Sequence, residues 1–397
     1  MPNPNRLDIL LALRGLACLM VVMIHCAPPR NFLIYKNFDF SWILFSHGAV
    51  AVWIFFCLSG YLMGKAFYTR RYTLEMKSVV NFFRNRILRI FPLYYFAVLI
   101  LVIFVYPEIL KLSHWGYLLR VLTFTYQPYL TPQPLAFNDV FWSLSTEVQF
   151  YLCVPLIYSF FNHYLSTIKQ IYFTFISILI ITFILRCFSW ITFHQEITDN
   201  MGYAFKYWYT PLTHNLDLFL SGFLINPLLK NTKSLPLKHL YIWKILAITL
   251  LIVLYLFSAH HLYHQELWGI ANRPSGWRTA TTILILPLVT ALITAWFIFV
   301  FELESYHLHG KNRQLSISAI LENPLRILEI LGNLSYGIYI WHYPIIGKIY
   351  PIFTADIPIA AFYTRFTATL ILSMIMATVT YFLVEIPGSK WKSYSPS

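Results

Sequence analysis

Arg14 and His25 stand eleven residues apart in the first apolar run of the chain, RGLACLMVVMIH. Eleven residues make about three helical turns, so both side chains fall within roughly 20° of one face and about 16 Å apart along the axis. A charged side chain in a bilayer span costs roughly 2.5–3.5 kcal/mol on insertion scales, and therefore faces a protein interior or a wet cavity. An imidazole near neutral pKa can take the proton of a hydroxyl as that hydroxyl attacks a carbonyl. A guanidinium stays charged and cannot act as a base, so Arg14 would hold an anion or a polarised carbonyl. The plainer readings are a structural histidine at a helix end and an arginine that snorkels to the headgroups. Arg14 lies about two turns inside the run, which weakens the second of these.

Three further segments carry polar groups where apolar ones are expected. In FFRNRILRIFPLYY, Arg84, Arg86 and Arg89 crowd one end of an apolar run that starts near residue 87. Arg86 and Arg89 share a helix face by their i, i+3 spacing, whereas Arg84 points elsewhere unless the helix starts after it. The cluster is either a stop-transfer group on anionic lipid or a phosphate clamp, since guanidinium binds phosphate in bidentate fashion. Pro92 then falls in the first turns of that helix, where a missing N–H is best tolerated. In FWSLSTEVQFYL, Glu147 has Ser143 and Tyr151 at i−4 and i+4, with Trp142, Ser145 and Gln149 nearby. A carboxylate there is paired, protonated or functional. It would orient His25, as the acid of a hydrolase triad does, or neutralise Arg14 or Arg186. In LGNLSYGIYIWHYPI, Tyr336 and His342 either line a pocket or belong to an aromatic belt.

Other features have plainer readings. FFCLSGYLMG and LDLFLSGFL each place Ser-Gly inside an apolar run, which permits close helix packing, and Asp217 in the second is a buried acid. His261 and His264 of HHLYH form an i, i+3 pair, and the five cysteines lack metal-ligand spacing. No metal site and no disulfide framework is assigned.

The elements that must position these groups are helices in a membrane. Of 397 residues, 58% are hydrophobic and 11% charged, against about 25% charged in an ordinary globular domain. Apolar runs of about 20 residues, each long enough to span as a helix, fall near 7–26, 42–64, 87–106, 140–162, 170–190, 208–228, 240–258, 280–302, 328–348 and 360–384. The expectation is an all-α polytopic membrane protein, one domain over 1–397, with about ten transmembrane helices around a central cavity. The run 113–126 is shorter and more polar and reads as an interfacial helix.

The formal charge of +13 would suggest nucleic acid in a soluble protein. Here the basic residues concentrate in alternate loops, including Lys65, Arg70, Arg71, Lys77, Lys230, Lys244, Arg326 and Lys390. By the positive-inside rule both termini are cytoplasmic and no nucleic-acid partner is expected. The first run is of full span length without a small-residue cleavage site, so it is not read as a signal peptide.

Taken together, these segments resemble the acyltransferase-3 family of membrane O-acyltransferases over nearly the whole chain. The resemblance rests on the Arg-x10-His spacing, FFCLSG, the Arg-x-Arg of RNRILRIFP, WSLSTEVQFYL, LGNLSYGIYIWHYP and LVEIP, in that order. It implies transfer of an acyl group, usually acetyl from acetyl-CoA, to a hydroxyl of a cell-surface glycan such as O-antigen, in the bacterial inner membrane. His25 matches the catalytic histidine and Arg14 its partner. Arg84 and Arg86 match the donor-handling arginines, with Arg89 beside them, and Glu147 matches the acid of its motif.

On this reading CoA phosphates meet Arg84, Arg86 and Arg89, and the thioester passes Arg14. His25 acts as general base or as an acyl carrier, and Glu147 fixes its tautomer. Trp142, Ser143, Tyr336 and His342 line the pocket. Many relatives carry a C-terminal hydrolase-like domain that this sequence does not show, so transfer would finish in the membrane domain or on a separate extracytoplasmic partner. Membrane lipids are the other partner. The rival reading is a transporter or flippase of lipid-linked sugars, whose ionisable groups would line a path rather than react.

Overall fold

The computed structural model describes residues 7–126, 137–199, 201–232, 239–264, 279–305, 317–354 and 356–391. They form α1 (Ile9–His25), α2 (Gly48–Tyr68), α3 (Met76–Ile100), α4 (Trp115–Leu122), α5 (Phe141–Tyr164), α6 (Ile168–Asp199) and α7 (Met201–Ala204). There follow α8 (Leu216–Asn231), α9 (Leu240–Tyr263), α10 (Leu286–Ser305), α11 (Ile317–Glu322), α12 (Ile327–Ile349), α13 (Pro358–Thr380) and α14 (Ile386–Lys390). Among the described residues the only sheet is a two-stranded hairpin, Ile34–Tyr35 against Phe38–Asp39.

Seven helical stretches are long and apolar enough to cross a membrane: Ser41–Tyr68, Met76–Val105, Phe141–Tyr164, Ile168–Asp199, Leu240–Tyr263, Thr281–Leu303 and Pro358–Lys390. The chain is a multi-pass membrane protein, but the expected count of about ten is not reached by these criteria. The shortfall has a physical cause. The 17 residues of α1 extend only about 25 Å, short of a hydrocarbon core of about 30 Å. α8 has 16 residues, and the apolar side chains of α12 are interspersed with Asn333, Ser335, Tyr336, Tyr339 and His342. The two helices that carry Arg14, His25 and His342 are thus too short or too polar to look like lipid-facing spans.

Burial separates centre from rim. The apolar window of α2 is 78% buried and that of α9 only 11%, so α2 is a core helix and α9 faces outward. Phe173, Ile180, Ile184, Phe188 and Ile191 of α6 are exposed apolar side chains, as a lipid-facing surface requires.

Two parallel helix pairs bring their backbones together at glycines. A Cβ on Gly15 of α1 would sit 2.1 Å from the Leu328 carbonyl oxygen, and one on Gly332 of α12 would sit 2.1 Å from that of Leu11. A Cβ on Gly60 of α2 would lie 1.8 Å from the Phe219 oxygen, and one on Gly222 of α8 1.8 Å from that of Cys57. Small residues let helix backbones approach this closely, and Gly60 and Gly222 belong to the two Ser-Gly segments.

The ends of α1 are fixed by named contacts. Asp8 caps its start, Oδ1 accepting the Leu11 N–H at 3.1 Å. The Asp8 N–H donates to Glu329 Oε1, which ties this end to the start of α12, and Glu329 Oε2 accepts from Arg326 Nε at 3.0 Å. At the far end, Pro28 and Pro29 stop the helix. Arg365 of α13 donates to the Cys26 and Ala27 carbonyls at 3.2 Å each. A cation on the unsatisfied carbonyls of a helix C-terminus is favourable.

One expectation about α3 is corrected. The helix begins at Met76, eleven residues before the apolar run, so Pro92 lies in its interior rather than in its first turns. The lost N–H leaves the Leu88 carbonyl without its usual donor, and Gly388 of α14 packs closely on the Pro92 ring there. Further along, α4 buries Tyr117 and Val121 and exposes Trp115 and Leu119, the two-faced pattern of the helix expected in 113–126.

Candidate functional site

The α1/α12 seam carries polar contacts at two levels. Nearer the helix starts, Arg14 donates from its guanidinium to Ser335 Oγ at 3.2 Å. At the C-terminal end of α1, His25 Nδ1 meets His342 Nε2 at 3.0 Å. His342 is fully buried, and its Nδ1 lies 2.8 Å from the Tyr339 carbonyl oxygen and 3.2 Å from that of Ile338. Tyr343 meets the His25 ring edge-on, with centroids 5.3 Å apart, and its hydroxyl donates to Asp139 Oδ2 at 2.6 Å. Tyr126 donates to the other oxygen of Asp139 at 3.1 Å.

Arg14 faces a cavity of about 130 Å³. The polar side chains on its wall are Arg14, Ser59, Arg86, Arg89, Ser143, Glu147, Tyr151, Ser335, Tyr336 and Tyr339. Five helices converge to make it, α1 and α12 from the seam together with α2, α3 and α5. His25 and His342 are not on this wall, but Tyr339 is, and its ring centroid lies 5.7 Å from that of His342.

The arginines of α3 take three different positions. Arg86 lines the cavity, its Nε buried and without a hydrogen-bond partner among the described residues. Arg89 lines it too, but is paired with Glu385 at 2.9 Å. Arg84 is exposed on another face of the helix, beside Val80, Phe83, Ile87, Leu88 and Trp391. A buried guanidinium nitrogen with no acceptor is suited to receive an oxygen of a phosphate or carbonyl, and that description fits Arg86 and excludes Arg84 from this cavity.

The expected link between Glu147 and His25 is absent. Glu147 Oε1 accepts from Ser59 Oγ at 2.8 Å and from the Tyr151 hydroxyl, while His342 is the ring partner of His25. The i, i+4 spacing to Tyr151 explains the first arrangement, because both residues share one face of α5. Ser143 shares that face as expected and hydrogen-bonds the Tyr339 hydroxyl at 2.6 Å. Trp142 lies off the cavity wall, buried against Phe56, Phe205 and Tyr209. Tyr336 is on the wall and donates to the Ile90 carbonyl at 2.7 Å. Arg186, the alternative partner for Glu147, is instead held by Asp217 in two hydrogen bonds of 2.7 and 2.6 Å.

Sequence reasoning missed Ser335, Tyr339, Ser59 and Asp139. A signal for Ser335 existed: it precedes His342 by seven residues, two helical turns, and therefore shares its face. Asp139 and Ser59 had no such signal, since their partners come from other helices. Among the described residues, no group of three or more His, Cys, Asp or Glu is arranged to hold a metal ion.

A family model described as an acyltransferase domain matches residues 7–383. Over 377 residues the chain is 24% identical to O-acetyltransferase OatA of Staphylococcus aureus, covering 90% of this chain and 55% of that protein. It is 25% identical over 359 residues to peptidoglycan O-acetyltransferase OatA of Listeria monocytogenes, covering 86% and 49%. With acyltransferase MdmB of Streptomyces mycarofaciens it shares 32% identity over 164 residues, 40% of each protein. The chain spans about half the length of the OatA relatives it matches. No solved structure matches it.

Proposed function

The chain belongs to the acyltransferase family whose domain model covers residues 7–383, and from that membership we propose that it is a membrane O-acetyltransferase drawing on cytoplasmic acetyl-CoA. The acceptor is a hydroxyl of a cell-surface or lipid-linked glycan. The setting is the bacterial cytoplasmic membrane, with the start of α1 toward the cytoplasm. The glycan class is supported by the Listeria relative, a peptidoglycan O-acetyltransferase.

The observation that carries the reading is the double-level α1/α12 seam. A cation on a cavity wall and a histidine beyond its far end are presented by two helices locked at Gly15 and Gly332. In this mechanism Arg86 and Arg14 receive the donor's oxygens, Arg86 at the mouth and Arg14 deeper. His25 takes the acceptor's proton as the hydroxyl oxygen bonds to the thioester carbonyl carbon. The carbon–sulfur bond then breaks, and the imidazolium returns the proton to the departing thiolate. Glu147 stays with Ser59 and Tyr151, on the same cavity wall as the arginines. Arg84 takes no part.

The test uses purified chain in lipid nanodiscs with acetyl-CoA and a glycan acceptor, reading CoA release and the acetyl mass increment on the acceptor. The unaltered chain should support both, and folded His25→Ala should lose transfer by on the order of 10²–10⁴-fold. Retained transfer in His25→Ala would remove the histidine from the reaction. Movement of intact acceptor without CoA release would replace the enzyme with a transporter.

A further inference from the structure

The hydrogen-bond chain that ends on His25 fixes more than the position of that ring. His342 Nδ1 faces two backbone carbonyls, of Tyr339 and Ile338, and a carbonyl oxygen only accepts. Nδ1 of His342 therefore carries a hydrogen. His342 is 0% exposed and no carboxylate hydrogen-bonds to it among the described residues, so a positive charge there would be uncompensated and costly. The ring is neutral, and its Nε2 is a lone pair. That lone pair lies 3.0 Å from His25 Nδ1. Two acceptors cannot hydrogen-bond, so the hydrogen between the rings belongs to His25 Nδ1.

We infer that His342 is the positioning residue of this site, holding His25 in the Nδ1–H tautomer so that its Nε2 lone pair is the single proton acceptor offered to substrate. The inference rests on the acyltransfer reading for its purpose, though not for its geometry. It gives the orienting role to a neutral imidazole rather than to a carboxylate. When His25 gains a proton at Nε2, its Nδ1–H continues to donate to His342 Nε2, so the partner follows the developing charge without changing its own protonation. Asn138 supports the arrangement from α12's other side. Pro344 has no N–H for the Ile340 carbonyl, and Asn138 Nδ2 donates to that oxygen at 3.0 Å. The backbone that presents His342 is thereby kept satisfied across a proline.

The experiment is nitrogen-15 NMR of histidine-labelled chain in lipid bilayers, with the His25 signals assigned by their loss in His25→Asn. Neutral His25 should show a protonated Nδ1 and a bare Nε2 before any donor or acceptor is added. In His342→Gln the side-chain oxygen reaches the place of Nε2 and still accepts. That variant should keep the tautomer and stay within about tenfold of the original transfer rate. In His342→Asn the amide sits at the place of Nδ1 and cannot reach. His25 should revert to the Nε2–H form, and transfer should fall on the order of 10²–10⁴-fold. An Nε2–H tautomer in the unaltered chain would overturn the inference, as would equal rates for the Gln and Asn variants. If every His342 variant fails to fold, the spectrum of the unaltered chain still decides. If the unaltered chain transfers nothing, the functional reading fails while the tautomer result stands by itself.

Discussion

Arg186 on α6 and Arg14 on α1 are both guanidinium groups within apolar helices, yet their surroundings differ in kind. Arg186 has no exposed surface and is fully matched, with Asp217 on two nitrogens and the His214 carbonyl on two at 3.0 and 2.6 Å. Arg14 is half-buried, donates to one neutral hydroxyl among the described residues and faces a cavity. A matched buried cation has no valence left for a ligand. A cation with one weak partner beside open space is poised to receive one. The contrast separates structural from functional charge more sharply than depth in the membrane does, since both residues lie inside helices.

Replacing Arg186 with Met should destabilise the fold by about 3–5 kcal/mol, because Asp217 is left buried and unpaired. A thermal melt in detergent would read this. Adding Asp217→Leu should recover most of the loss, and if it does not, the pair has a role beyond packing. Arg14→Ala should do the reverse, leaving the melt near that of the parent while transfer falls roughly 10²–10³-fold, the range for one donor to a developing oxyanion. If melting and transfer fall together, Arg14 belongs with Arg186 and the contrast is lost.

A smaller effect tests the same rule on α3. Arg86→Ala should weaken acetyl-CoA binding about tenfold, or about 1.4 kcal/mol, while Arg84→Ala changes it less than about twofold. A binding titration that reverses this order would move the donor away from the cavity. Arg365 should show the least. Its bonds to the two carbonyls that follow α1 make Arg365→Met a loss of about 1 kcal/mol by the usual worth of a cation at a helix end, readable as a modest drop in melting temperature.

Much of the helix inventory was legible, because a lipid-facing helix must be apolar over about 20 residues and runs such as 170–190 and 240–258 have no competing explanation. The start of α3 was not. Residues 76–86 mix polar with apolar side chains and are helical together, and hydropathy sees only where a helix leaves water. Within the site, the divergence of Arg84 from Arg86 followed from helical spacing alone, and so did the face shared by Glu147 and Tyr151. The partner of His25 was out of reach, because it depends on α1 and α12 meeting across more than three hundred residues of chain, and only glycine at 15 and 332 permits that approach. Glu147 was assigned to His25 by analogy with a triad, when the nearer hydroxyls of Ser59 and Tyr151 satisfy it first.

The glycine contact between α1 and α12 also limits how the molecule can breathe. Two parallel rods whose main chains touch can neither slide nor part without breaking that contact, so the histidine pair travels as one body with its arginine. Any widening that admits a bulky headgroup must be made by the opposing wall. There Tyr336 of α12 donates to the Ile90 carbonyl of α3, and α3 carries a proline-weakened turn at Pro92. The anvil is fixed and the hammer swings.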